Sequence, residues 1–214
     1  MDGGLITAIY QNLLDRYGAP RWWPAKTPYE VIVGAILTQN TAWGNVEKAV
    51  ANFNGGLSPE YILNAEYDAL IDIIRPAGFY NQKAAYLKAV TAWFAKYNFD
   101  VQTVRRGSLA KMRGELLAVN GVGQETADAI LLYAFEYPTF VVDAYTFRLC
   151  RRYPIPAGES YAAVKAYFEK RLPADTVIYN NYHALIVING KTCCGKKNPS
   201  CGACPLGASC GRTI

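Results

Sequence analysis

The sequence predicts an all-α protein made of many short helices. Signals that begin a helix recur along the chain, and apolar residues follow them at a spacing of about 3.6 residues. The stretch from Val101 to Val104 is too short to count as a sheet. With 51% hydrophobic and 18% charged residues, the 214-residue chain can bury a substantial core, which excludes wholesale disorder.

The first predicted helices lie before residue 54. Thr27-Pro28-Tyr29-Glu30 is a capping box with proline at the first helical position. It opens the apolar run Val31 to Leu37, which the cap assigns to a buried helix rather than to a buried strand. Asn40-Thr41 indicates a break and a new cap, and the apolar residues from Val46 to Phe53 then have the spacing of a helix face.

Further helix signals continue through the middle of the chain. Ser58-Pro59 opens one helix, and the next, Tyr67 to Ile74, ends near Pro76-Ala77-Gly78. Residues 81–97 again carry apolar side chains near a helical period. Ser108 is the predicted cap of a helix over 109–119.

Charge and histidine content limit the possible functions. Twenty-two Lys and Arg residues against 17 Asp and Glu residues give a net charge of +5, which permits a polyanionic partner without requiring one. The single histidine, His183, excludes a histidine-rich metal centre and makes a Ser-His-Asp triad improbable. No apolar run reaches the roughly 18 residues of a membrane span, and the amino terminus lacks the pattern of a signal peptide. We therefore expect a soluble, cytoplasmic protein.

The cysteines crowd one end of the chain. Cys150 stands alone, whereas the other five lie between residues 193 and 210. The spacing Cys194-x6-Cys201-x2-Cys204-x5-Cys210 places four thiolates in a short coil, which suits a tetrahedral sulfur site for [4Fe–4S] or Zn. Cys193 falls outside this pattern. In a reducing compartment, a metal site is favoured over a set of disulfides.

A glycine-containing turn joins two predicted helices at Asn120-Gly121-Val122-Gly123. The two glycines allow positive φ angles and a close approach of the backbone to a ligand, while Val122 would anchor the turn between the helices. The helix that follows would direct its first amide groups toward an anion such as a nucleic-acid phosphate. The alternative interpretation is a plain helix–helix turn with a glycine cap.

An acidic residue, Asp143, follows the apolar pair Val141-Val142 where a new helix would begin. Its common role at such a place is that of an N-cap. Alternatively, the carboxylate could stabilise positive charge on a sugar or activate a water molecule.

These motifs resemble the helix-hairpin-helix DNA glycosylases of the endonuclease III superfamily over nearly the whole chain. The resemblance implies a two-lobed all-α fold with a C-terminal iron–sulfur cluster loop. One lobe would be a helical barrel over 27–139 that contains the hairpin at 116–134, and the other would combine 1–26 with 140–214. The resemblance also favours a [4Fe–4S] cluster over zinc at 194–210. It further implies that Asp143 is a catalytic residue. Residues of the hairpin (Asn120, Gly121, Val122 and Gly123) and of the loop (Lys196 and Lys197, with Arg212 near it) would contact DNA.

Glu125 departs from the pattern of the bifunctional enzymes. These enzymes carry at this position a lysine that forms a Schiff base with the sugar. A carboxylate cannot form an imine, so lyase chemistry by that route is lost. The Glu125 carboxylate could also simply interact favourably with the helix dipole from the first turn. Its match to the catalytic position of the family indicates instead a catalytic role in the base pocket.

A narrower resemblance is to the 3-methyladenine DNA glycosylase III family, which is monofunctional. Four segments carry it: Trp22-Trp23-Pro24, Leu37 to Thr41, Arg75 to Ala84, and Glu125 to Leu131. It implies a base pocket lined by Trp22, Trp23 and Trp43 with Lys191 at its edge. Gln39 would fill the gap left by the flipped base, and Phe79 would part the opposite strand. The known members of that family lack the iron–sulfur loop, which this chain has.

The sequence therefore predicts a monofunctional DNA glycosylase that removes alkylated purines from damaged double-stranded DNA and acts as a monomer. One alternative is a glycosylase for mismatched or oxidised pyrimidines on the same scaffold. Another is a non-catalytic DNA-binding module with an iron–sulfur cluster.

Overall fold

A computed structural model describes residues 3–20, 22–153 and 155–211. These residues form twelve α-helices and two short 3-10 turns, and none of them lies in a strand. The all-α class is confirmed. The helices are α1 Gly3–Tyr17, α2 Pro28–Leu37, α3 Trp43–Ala51, α4 Pro59–Asn64, α5 Tyr67–Ile74, α6 Tyr80–Ala95, α7 Val101–Arg105, α8 Leu109–Leu117, α9 Gln124–Tyr133, α10 Ala144–Arg152, α11 Tyr161–Glu169 and α12 Thr176–Thr192. None of the described helices is both long enough and apolar enough to cross a membrane.

The chain forms two compact units. The first combines Met1–Pro24 with Pro138–Ile214, and the second is Ala25–Tyr137. In the second unit, α2 is buried almost throughout and packs against α6 and α9. In the first unit, α12 packs against α1 and α10, and Tyr179 and Tyr182 of α12 are among its largest buried side chains.

Most of the predicted caps are present, and one is not. The hydroxyl oxygens of Thr27, Ser58 and Ser108 each accept a backbone N–H in the first turn of the helix that follows. The prediction of a cap at Thr41 was wrong, because α3 begins after Ala42. The Thr41 hydroxyl instead donates to the carbonyl oxygen of Ala77, far away in sequence.

Lys83 of α6 explains why Thr41 bonds to Ala77 rather than capping α3. Its buried ammonium group donates to the carbonyl oxygens of Leu37 and Ala77 at 2.7 and 2.8 Å and to the Thr41 hydroxyl at 2.7 Å. These acceptors come from the end of α2, from the loop before α3 and from the turn before α6. Burial lowers the pKa of Lys83 to about 8, so the group remains protonated at pH 7.

We expect Lys83→Met to lower the free energy of unfolding by about 2–4 kcal/mol at pH 7, because three buried acceptors lose their donor. Lys88→Met is the matched control. Lys88, on the same helix, also donates to three carbonyl oxygens (those of Ile62, Leu63 and Ala65) but is only half-buried, so water can replace it at a cost nearer 1 kcal/mol. Urea denaturation measures both, and equal losses would contradict this account of Lys83.

Candidate active site

The turn between α8 and α9 has a backbone that requires glycine at one position. Gly121 adopts φ +83°, and a Cβ there would lie 2.1 Å from the ring of Tyr86. Gly123 has an ordinary φ of −86° and open space around it, so only Gly121 uses the positive φ that either glycine would allow. Val122 is buried, as its predicted anchoring role requires.

An ion pair holds the two helices of this hairpin together. The guanidinium of Arg113 on α8 donates from Nε and Nη2 to the two carboxylate oxygens of Asp128 on α9, at 2.8 and 3.1 Å. The side chain of Asp128 is fully buried. A bidentate ion pair of this kind fixes orientation as well as distance. It therefore holds α8 and α9 in a defined arrangement on either side of the turn.

The first turn of α9 can receive an anion. Its N-cap is Gly123, which has no side chain to accept from the first amide groups of the helix. Asn120 and Glu125 are exposed on either side, and Glu125 lies in the first helical turn. The exposed Asn120 and the open first turn fit the predicted phosphate contact, whereas the Glu125 carboxylate would not contact a phosphate.

Gly121→Ala should lower the free energy of unfolding by about 2–4 kcal/mol, through strain at positive φ and overlap with Tyr86. Gly123→Ala should cost under about 1 kcal/mol, because its φ is ordinary and its surroundings are open. Thermal denaturation of the two variants distinguishes them. Equal stability of both would show that the turn does not require the conformation described.

Two residues predicted to enter DNA lie in the same unit as the hairpin. The Gln39 amide nitrogen donates to the carbonyl oxygen of Gly121 at 2.9 Å and to the hydroxyl of Thr126 at 3.0 Å. Its side chain is thus held by the hairpin in this structure, and inserting it into a duplex would require breaking both bonds. Phe79 is 62% exposed and adopts φ +47° immediately before α6, so it is a projecting aromatic rather than a core residue.

Asp143 immediately precedes α10 and is its N-cap. One carboxylate oxygen, Oδ1, accepts from the backbone N–H of Thr146 at 2.8 Å and from its hydroxyl at 3.0 Å. The other, Oδ2, lies 3.5 Å from Nε2 of His183 on α12. Burial acts to raise the pKa of Asp143, but His183 and the two hydrogen bonds from Thr146 outweigh it and hold the pKa below its ordinary value. The side chain is 12% exposed and ionised at neutral pH.

His183 connects this carboxylate to a tryptophan. The rings of His183 and Trp22 are nearly perpendicular, at 86°, with centroids 6.4 Å apart. The Lys191 ammonium, in the last turn of α12, lies 5.8 Å from the centroid of the Trp22 ring. The indole N–H of Trp22 is buried and has no hydrogen-bond partner among the residues described. His183 therefore links Asp143 to Trp22, and Lys191 lies near the same indole ring, although no sequence motif marks His183.

The other predicted pocket tryptophans are placed differently. Trp23 is half-buried and follows Trp22 with a φ of +63°. Trp43 begins α3 in the Ala25–Tyr137 unit, where its indole N–H donates to Glu47 at 3.0 Å. Glu125 also belongs to that unit. The roles of Trp23, Trp43 and Glu125 in a base pocket therefore remain predictions.

The four cysteines of the predicted metal site surround one cavity. Its lining consists of Arg152, Cys193, Cys194, Pro199, Cys201, Cys204, Gly207 and Cys210. Among the described residues, no group of three His, Cys, Asp or Glu side chains is arranged to hold a single metal ion. All four cysteines contribute thiols to the cavity lining, and four cysteine thiolates are a donor set that fits an iron–sulfur group.

Two arginines of α10 bind the loop that carries these cysteines. Arg148 Nε donates to the carbonyl oxygen of Cys194 at 2.8 Å. Arg152 Nη1 donates to the Cys194 sulfur at 3.3 Å and to the Gly195 carbonyl oxygen at 2.7 Å. Because Asp143 is the N-cap of α10, one short helix connects the carboxylate to the cysteine loop.

Lys196 and Lys197 are exposed in the cysteine loop, as a DNA-facing role requires. Arg212, predicted to add to the same basic edge, lies outside the described residues. Cys193 is buried beside the cavity and contacts the Tyr17 hydroxyl at 3.5 Å, and Cys150 is buried in α10.

Residues 33–174 match the family model of the HhH-GPD superfamily base excision DNA repair proteins. The protein belongs to the HhH-GPD superfamily. The match spans more than half of the chain, includes the hairpin and Asp143, and confirms the resemblance to this superfamily. Membership in this superfamily assigns the protein to the class of base excision repair DNA glycosylases.

The HhH-GPD chain has similar relatives of several kinds. It is 48% identical over 211 residues to "Putative DNA repair glycosylase MJ1434" of Methanocaldococcus jannaschii, covering 96% of both chains. The Helicobacter pylori 3-methyladenine DNA glycosylase bound to 1,N6-ethenoadenine is 29% identical, with a TM-score of 0.76 over 89% of this chain and 98% of the other. An endonuclease III in a trapped covalent complex with DNA has a TM-score of 0.82 at 21% identity, over 99% of this chain and 97% of that chain, which establishes a shared fold.

Proposed function

We propose that this HhH-GPD protein is a monofunctional DNA glycosylase that flips alkylated purines such as 3-methyladenine out of duplex DNA and hydrolyses their glycosidic bond. The observation that carries the proposal is the contact of Trp22 with His183, which itself lies beside the ionised carboxylate of Asp143. The similarity at 29% identity to a 3-methyladenine DNA glycosylase supports the choice of substrate.

The chemistry of the substrate explains why an indole and a carboxylate suffice. A purine alkylated on a ring nitrogen is cationic, so the electron-rich face of a tryptophan attracts it. Because the positive charge already weakens the glycosidic bond, the enzyme needs little acid catalysis, and selection of the flipped base decides specificity.

Asp143 would act on the sugar. As the bond between the base and C1′ breaks, its electron pair passes to the base and neutralises it, while positive charge develops on the deoxyribose. The carboxylate stabilises that charge and accepts a proton from the water that adds to C1′. Its low pKa keeps it ionised at neutral pH, as this role requires. The products are the free base and an abasic site in an unbroken strand.

Glu125 supports the monofunctional assignment, because a carboxylate at this position cannot form a Schiff base with the sugar. We expect borohydride reduction during turnover to trap no covalent protein–DNA adduct. The measurement is a denaturing gel of the reaction, with an endonuclease III as positive control. An adduct formed by the wild-type chain would contradict the absence of lyase chemistry.

A [4Fe–4S] cluster is the cofactor we propose, held by Cys194, Cys201, Cys204 and Cys210. When bound, it would supply four iron–thiolate bonds that brace the loop. Lys196 and Lys197 of the loop and the first turn of α9 would contact phosphates of a damaged duplex. We propose that Gln39 and Phe79 enter the duplex and that the enzyme acts as a monomer.

The deciding experiment is a panel of duplex oligonucleotides that carry 3-methyladenine, 7-methylguanine, uracil, or thymine opposite guanine. We expect release of the alkylpurines and no release of the pyrimidines. Release of pyrimidines alone would assign the enzyme to mismatch repair instead. Binding of the duplexes with no release of any base would favour a non-catalytic module.

A further inference from the structure

His183 is the one histidine of the sequence and is buried on α12, with 5% of its surface exposed. A buried histidine often serves only to fill space and satisfy a neighbouring polar group. Its two contacts described above are more specific than that. One is with the carboxylate that begins α10, and the other is with the aromatic ring of Trp22.

The two oxygens of Asp143 have different partners. Thr146, on the same helix as the carboxylate, occupies Oδ1 with two hydrogen bonds. His183 approaches Oδ2 from another helix. Since the cap alone would fix one oxygen and leave rotation of the carboxylate plane less restricted, the imidazole is the group that sets where Oδ2 points.

His183 also adjoins the indole ring of Trp22, on which we propose that the flipped base stacks. Trp22 lies outside any helix, in a segment whose backbone is not fixed by helical hydrogen bonds. The imidazole packs against this ring while facing the carboxylate. A single side chain therefore lies between the Trp22 ring and Oδ2 of Asp143.

We propose that His183 is a positioning residue that aligns Oδ2 of Asp143 with the sugar of a base stacked on Trp22. The proposal rests on the proposed glycosylase function. Nε2 of His183 faces Oδ2 at 3.5 Å, so the imidazole would orient the carboxylate without touching the substrate. The step it assists is the departure of the base from C1′, so its loss should slow the chemistry rather than weaken DNA binding.

The test compares three variants in single-turnover base release. His183→Phe keeps an aromatic ring against Trp22 but removes the donor, and we expect its rate to fall about 10- to 100-fold. His183→Gln keeps an N–H donor, and we expect it to recover part of that loss. Tyr182→Phe is the matched control, since it removes a buried hydrogen bond from the adjacent residue of α12 to the Ile6 carbonyl oxygen. Its rate should equal that of the wild type.

Two further measurements separate alignment from simple destabilisation. The dissociation constant for a duplex with a non-hydrolysable abasic-site analogue should change less than about threefold in each variant, and the melting temperatures of His183→Phe and Tyr182→Phe should fall to a similar extent. A His183→Phe rate equal to wild type would overturn the proposal, as would a Tyr182→Phe rate that fell equally. If the wild-type protein released no base from any substrate, the proposed function would fail instead.

Discussion

Asp143→Asn should reduce the rate of base release by about 100-fold or more, because it removes the negative charge that stabilises the sugar in the transition state. Asparagine is itself a good N-cap, so α10 should still form and the protein should still bind DNA. The measurement is single-turnover release of 3-methyladenine at pH 7, together with the affinity for the damaged duplex.

Asp175→Asn is the matched control for this substitution. Asp175 also caps a helix of the same unit, α12, by accepting the backbone N–H of Ile178 at 2.9 Å, so the chemical change is identical. We expect its activity to equal that of the wild type. Equal rates for Asp143→Asn and wild type would show that the Asp143 carboxylate is only a cap.

The same carboxylate makes a defined contribution to stability. Because the folded-state pKa of Asp143 lies below its ordinary value of 3.8, the ionised group favours the folded state at neutral pH. This contribution is present above that value and is lost as the pH falls through the lower, folded-state pKa. Protonation of Asp143 therefore should not limit activity between pH 5 and 8.

Local signals made much of the fold predictable. The caps at Thr27, Ser58 and Ser108 form because each hydroxyl meets an amide three residues ahead, which the sequence displays directly. Thr41 has a similar local pattern but bonds to Ala77 and Lys83 instead. Contacts between residues so far apart in sequence leave no periodic signal in a single chain.

Part of the candidate site follows from local patterns, because the cysteine spacing and the position of Asp143 after an apolar pair are visible in the sequence. His183 and Arg152 carry no motif of their own. Their positions beside Asp143 and Cys194 arise from the packing of α12 and of the cysteine loop around α10.

Cys204→Ser should abolish the proposed iron–sulfur cluster. We expect the iron content to fall from about four atoms per chain to near zero, with loss of the brown colour and a marked fall in melting temperature, because the loop loses its brace. Iron and zinc analysis of the purified protein and a visible absorption spectrum measure the effect.

Cys193→Ser is the control for the cluster prediction. Cys193 lines the same cavity but lies outside the four-cysteine spacing, so its replacement should leave iron content and colour unchanged. Loss of iron from Cys193→Ser with retention in Cys204→Ser would assign the ligands differently. Zinc in place of iron in the wild-type protein would contradict the cluster itself.

The most direct measurement combines two analyses of one reaction: mass spectrometry of what the wild-type protein frees from a 3-methyladenine duplex, and a denaturing gel of the DNA left behind. We predict free 3-methyladenine together with a full-length strand that breaks only when alkali is added. A strand already cut before alkali, or an intact duplex with no free base, would contradict hydrolysis assisted by Asp143.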